Sequence, residues 1–167
     1  VRFVLLYGKT YGHDAAGYLM TIEDYNWLTE LAPLKSSHTS YHPPLSFVLI
    51  KLVSYLTRSV GTASQWLSYL SMMGAWLCMR QSLRIVAPGS RWASIFLVLA
   101  FALPTAAYQS TATTYDTFNF FLSMGVLLMS LRLFWHKWSI HKSDWRLLIA
   151  LLVLGLMTKY SSLLYIG

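Results

Sequence analysis

The chain has 167 residues, of which 56% are hydrophobic and only 11% charged, with a mean hydropathy of +0.48. A soluble domain of this size carries about 25% charged residues, so the composition excludes an ordinary soluble domain and points to an integral membrane protein. The net charge of +7 does not indicate nucleic-acid binding, because the basic residues cluster in short loops between apolar runs, without a soluble aromatic surface around them.

In chain order, Val1–Tyr7 reads as the end of a first span, and Gly167 falls inside another apolar stretch, so a piece of a longer membrane protein is expected. Residues 8–65 form a long external loop with two surface-lying helices. The first, Ala15–Leu31, repeats Tyr18, Leu19, Ile22, Tyr25 and Leu28 at helical spacing. The second, Pro44–Arg58, covers only about 22 Å as a helix, short for a bilayer core of ~30 Å. Wound at helical pitch, it gathers Ser46, Lys51, Ser54, Thr57 and Arg58 on one arc. Leu45, Val48, Leu49, Leu52, Val53, Tyr55 and Leu56 take the opposite arc, which suits a helix lying apolar face down in the interface.

Four spans follow, over residues 66–86, 92–108, 117–134 and 147–167. If the 44–58 segment does not cross, Arg80, Arg84 and Arg91 share the cytoplasmic side with Arg132, Lys137, Lys142 and Arg146. Five of the six acids then lie outside, as the positive-inside rule demands. The expected fold is therefore an all-α, polytopic membrane bundle forming a single module. The seven Trp and eleven Tyr suit interfacial belts, and the single Cys78 forms no internal disulfide.

With this topology Asp14, His42, Asp116 and Lys159 all reach the outer side or the outer half of the membrane. Ionisable groups at membrane depth are costly, about 2.5–3.5 kcal/mol at a helix centre, and mark functional sites. Asp14, in Tyr11-Gly12-His13-Asp14, suits a base acting on a hydroxyl acceptor, and equally an N-cap for the helix that starts at Ala15. In Ser40-Tyr41-His42-Pro43-Pro44-Leu45 the prolines set the entry of the second surface helix, while His42 is a candidate ligand for a phosphate oxygen or hydroxyl. Asp116 opens a span, as an N-cap or as a carboxylate orienting a sugar, acceptor or cation. Lys159 either snorkels to the outer headgroups or lines a cavity where an ammonium meets developing phosphate charge. Lys51 and Arg58 could assist there or meet lipid headgroups. His13, Asp14, His38 and His42 match no compact metal-ligand spacing, so no cofactor is expected and a divalent metal is not favoured.

These strings, taken together and in order, resemble the N-terminal part of the dolichyl-phosphate-mannose protein mannosyltransferase-like family. That family includes the bacterial aminoarabinose transferases acting on lipid A and belongs to the C-type glycosyltransferase superfamily. The strings are the loop aspartate Asp14, His42-Pro43-Pro44-Leu45, the span-opening Asp116 and Thr158-Lys159-Tyr160-Ser161. The resemblance implies an inverting transferase that moves a sugar from a polyprenyl-phosphate carrier to a hydroxyl on lipid, protein or glycan, at the outer face of a bacterial inner membrane. It implies Asp14 as the catalytic-loop aspartate that activates the acceptor, Asp116 as the second catalytic carboxylate, His42 as part of the same loop and Lys159 near the lipid phosphate. Tyr18 and Lys51, from the residue pattern alone, are further candidates for binding substrate. Ala15 stands where the family often has Glu, and Ser46-Phe47 where protein mannosyltransferases have Gly-Lys, which argues against protein O-mannosylation in particular. The competing expectations are a glycolipid transporter using the same groups without chemistry, and a non-catalytic membrane subunit.

Overall fold

The computed structural model describes residues 19–20, 22–23, 45–103, 106, 116–135 and 142–158, and these contain helices and turns with no strand. The principal helices are α1 (Leu45–Thr57), α2 (Val60–Val86), α3 (Arg91–Ala102), α4 (Asp116–Trp135) and α5 (Lys142–Leu156). Residues 19–20 and 22–23 are helical too, in register with the first surface helix expected from the sequence.

Local chemistry fixes each boundary. After Thr57, Arg58 turns into the left-handed region at φ 56°, and its amide closes on the Ser54 carbonyl at 2.8 Å. Ser59 is extended and accepts the Thr62 amide on its hydroxyl, at 3.3 Å, which caps α2. The helix therefore begins at Val60, six residues before the apolar run from which the span was read. At 27 residues α2 is about 40 Å long.

Pro88 cannot continue α2. Ala87-Pro88-Gly89-Ser90 folds back instead, with the Ser90 amide on the Ala87 carbonyl at 3.2 Å. Proline followed by a residue of positive φ is the signature of a type II turn, and Gly89 supplies a φ of 74°. Ser90 then caps α3 by accepting the Ala93 amide. Helix α3 stops at Leu103, whose extended backbone is what a residue before proline adopts. Helix α5 starts five residues before the expected span and ends at Leu156, where Met157 and Thr158 form a turn closed by the Thr158 amide on the Gly155 carbonyl.

Packing sets the directions. Helices α1 and α2 form a hairpin around Phe47, Ile50 and Ala63, which enclose Ile22. Helices α4 and α5 are antiparallel, with Leu133 against Leu148 at one level and Gly125 against Leu151 at another. Helix α4 lies along α2, in the same direction. Gly74 meets the Phe121 ring, and further along both helices Arg132 lies within electrostatic reach of Cys78. The bundle thus has two chemically different ends. One collects the start of α4 at Asp116, the close of α5 at Met157 and the start of α1. The other collects Arg80, Arg84, Arg91, Arg132, Lys142 and Arg146.

The distribution of polarity runs against that of a soluble bundle. Ser46, Ser64, Gln65, Ser68, Ser71, Thr117 and Asn119 are buried, whereas α3 exposes Trp92, Ile95, Phe96, Val98 and Leu99 and buries only Leu97. By length and composition, α4 is long and apolar enough to cross a membrane.

Helix α1 corrects the two-arc picture. Its buried side consists of Ser46, Phe47 and Ile50, so Ser46, expected on the outward polar arc, is wholly enclosed. Leu52, Tyr55 and Leu56 remain exposed, Leu56 at 85%. The apolar residues of α1 are numerous enough to cover more than one side, and α2 takes the side that includes Ser46.

Candidate functional site

The Asp116 end of the bundle gathers the polar groups and an apolar cleft. Asp116 is the first residue of α4, exposed, in the turn where a carboxylate meets the positive end of the helix dipole. Beside it Thr117 and Asn119 turn inward and are buried. On α2, Ser64, Ser68 and Ser71 follow one another at helical spacing, with Gln65 alongside, and are likewise buried. These short side chains let α2 approach its neighbours closely, and Gly74 continues the seam to direct contact with Phe121. Among the described residues, two hydroxyls in this region, Ser46 Oγ and Ser64 Oγ, are buried without a hydrogen-bond partner. Elsewhere in the bundle serine and threonine hydroxyls bond back to their own helices. Ser82 donates to the Cys78 carbonyl at 2.9 Å, Ser123 to Asn119 at 2.7 Å and Thr158 to Leu154 at 2.8 Å.

A cleft of about 420 Å³ opens between α2, α3 and the start of α4. Met72 and Met79 form one wall, Ala100, Phe101 and Leu103 another, and Phe120 a third. Asp116 and Thr117 stand at its margin as its polar members. Such a volume, almost wholly apolar with a carboxylate at the edge, suits a hydrocarbon chain whose polar head lies by Asp116.

The close of α5 reaches the start of α1 through one backbone contact. The Leu45 amide donates to the Met157 carbonyl at 3.1 Å. Leu45 follows His42 by three residues, and Met157 precedes Lys159 by two.

Of the candidate site residues singled out from the sequence, Asp116, Lys51 and Arg58 are described, Arg58 exposed in the turn after α1. Asp116 stands at the mouth of α4, as expected. Lys51 is half-buried, and its ammonium donates to the backbone carbonyls of Ile22 (3.1 Å) and Glu23 (2.7 Å), tying α1 to the helical segment before it. Asp14, Tyr18, His42 and Lys159 lie outside the described residues, as do His13 and His38. Among the described residues no group of three or more His, Cys, Asp or Glu side chains is placed to hold a metal ion. Ser64, Gln65, Ser68, Ser71 and Asn119 are not among the residues singled out from the sequence. Their signal was the helical spacing of the serines, which falls across the assumed loop boundary at residue 65.

Compared with protein-family models, with curated proteins and with solved structures, the chain matches none.

Proposed function

We propose that this chain is the membrane module of an inverting glycosyltransferase. It moves a sugar from a polyprenyl-phosphate carrier to a hydroxyl acceptor at the outer face of a bacterial inner membrane. The module is multi-pass, with the Asp116 end outside and the arginine end in the cytoplasm. The acceptor oxygen attacks the anomeric carbon, the bond from that carbon to the phosphate oxygen breaks, and the polyprenyl phosphate departs. Asp14 takes the acceptor proton, Asp116 orients the reacting sugar or acceptor, and His42 and Lys159 meet the charge that grows on the phosphate. Tyr18 and Lys51 border the sugar side. No cofactor is required beyond the lipid-linked donor.

The observation that carries this reading is the Leu45–Met157 bond at the end of the bundle where α4 opens on Asp116. It draws together the stretch that follows His42 and the stretch that leads to Lys159. The apolar cleft ending at Asp116 supports a lipid donor, since a prenyl tail needs a hydrocarbon groove and the sugar it carries a hydrogen-bonding edge. The multi-pass placement is supported by the exposed apolar surfaces of α3 and α5, by the buried serines, and by the charge difference between the two ends.

The test is transfer by the purified protein from a radiolabelled polyprenyl-phosphate sugar. Asp14→Asn is expected to abolish transfer, and Asp116→Asn, which keeps the size of the side chain and removes its charge, to lower kcat by about 10²-fold or more. Undiminished transfer in Asp14→Asn removes the base. Donor movement across vesicles without bond cleavage favours a transporter instead.

A further inference from the structure

A second cavity, of about 240 Å³, lies at the opposite end of the molecule, under the α2–α3 turn. Arg80 and Arg84 reach it from the last turns of α2, and Arg91 from the first residue of α3. Ser90 and Ser94 add hydroxyls. Among the described residues no acidic side chain lines it, and the first turn of α3 holds none. Among the described residues none of the three guanidinium groups forms an ion pair. Arg80 rests instead over the Trp76 ring at 5.5 Å from its centre. The positive end of the α3 dipole faces the same space, and the Pro88-Gly89 turn holds the two helix ends at fixed separation.

We propose that this pocket binds a phosphate group. Guanidinium groups are the side chains best suited to phosphate, through paired N–H donors that remain charged at any physiological pH. Three of them facing one cavity without a carboxylate leave a concentration of positive charge that an anion relieves. The setting favours a phosphate carried on a lipid. Trp92, 80% exposed, flanks the pocket beside exposed Val86 and Ile95, an apolar border along which an acyl chain lies while its headgroup enters. The site is remote from Asp116, and the inference does not depend on the transfer reaction.

The experiment uses the intact chain in micelles of an uncharged detergent, followed by tryptophan fluorescence. One arm titrates dioleoyl phosphatidic acid against dioleoylglycerol, which differ only by the phosphate. The other titrates sodium phosphate against sodium chloride at equal ionic strength. Saturable binding of phosphatidic acid alone identifies a lipid-borne phosphate, of inorganic phosphate alone a free one, and of both recognition of the phosphate itself. Each supports the proposal, whereas binding of neither overturns it. Arg84→Gln combined with Arg91→Gln is expected to weaken binding by about tenfold or more, since two charged donors are lost. Lys142→Gln combined with Arg146→Gln removes the same charge at the same end but outside the pocket, and changes affinity by no more than about twofold. Equal loss in the two double variants overturns the pocket and leaves only diffuse attraction. All four positions are exposed, so folding is preserved and is checked by helical circular dichroism.

Discussion

The backbone amide of Leu45 and the backbone carbonyl of Met157 satisfy each other across 3.1 Å. Each belongs to a helix terminus, where groups lack a partner within their own helix. Leu45 opens α1, and Met157 follows the last residue of α5. This hydrogen bond thus satisfies one group at each of two helix ends and joins the start of α1 to the close of α5.

Replacing Leu45 by proline isolates that bond. Proline is well tolerated at the first position of a helix, so α1 itself is preserved while the donor is lost. Leu45→Pro is expected to lower stability by about 1 kcal/mol relative to Leu45→Ala, which trims the side chain but keeps the amide. Thermal unfolding of both variants in the same detergent measures the difference. Equal midpoints would show that the contact contributes nothing.

At Gly74, α2 lies directly against α4. A Cβ there would stand 2.6 Å from Phe121 Cε2, a distance no real side chain sustains, whereas at Gly125 it would meet Leu151 Cδ1 at 3.3 Å. Gly74→Ala is accordingly expected to cost about 1–3 kcal/mol through overpacking, and Gly125→Ala less, since a leucine terminus yields. Phe121→Ala in the Gly74→Ala background should recover part of the loss. A double-mutant cycle on unfolding midpoints reads the coupling, and strict additivity would contradict the contact.

Helix boundaries were legible where the punctuation is chemical. The Pro88-Gly89 turn, the entry to α1 after two prolines and the start of α4 at Asp116 all follow from residue type. Other boundaries were hidden because hydropathy does not report them. The start of α2 at Val60 depends on a serine cap, and its first turns carry Ser64, Gln65 and Ser68, which read as loop but lie inside the fold. On α1, Ser46 lies buried rather than on an outward polar arc, because the helix is apolar enough that packing against α2, rather than pattern, selects the buried side. Of the candidate site, the position of Asp116 was readable. The employment of Lys51 on the carbonyls of Ile22 and Glu23 was not, because a lysine's reach to a backbone group leaves no trace in spacing.

Ser64 tests whether the buried polar seam is structural or made to receive something. Its hydroxyl is enclosed and has no partner among the described residues, a state that costs about 1–3 kcal/mol. Ser64→Ala removes the orphan group with little loss of volume, and is expected to leave stability unchanged or raise it by about 1 kcal/mol. Ser82→Ala, which loses a bond to the Cys78 carbonyl, is the comparison and should gain nothing. If Ser64→Ala instead lowers the unfolding midpoint, the hydroxyl has a partner such as an ordered water.

The apolar cleft makes a prediction that separates tail binding from chemistry. Ala100 lines it from α3, and Asp116 stands at its edge. Ala100→Phe places a ring in the groove without touching a titratable group. A long prenyl chain then loses roughly 60 Å² of contact, which at about 25 cal/mol per Å² is about 1.5 kcal/mol, or about tenfold in affinity. A donor with a tail too short to reach Ala100 loses nothing. Transfer measured with long and short donors should therefore show a raised KM for the long one alone, with kcat unchanged for both. If the two donors suffer alike, the ring has disturbed the fold or the acceptor side, and the cleft is not where the carrier lipid lies.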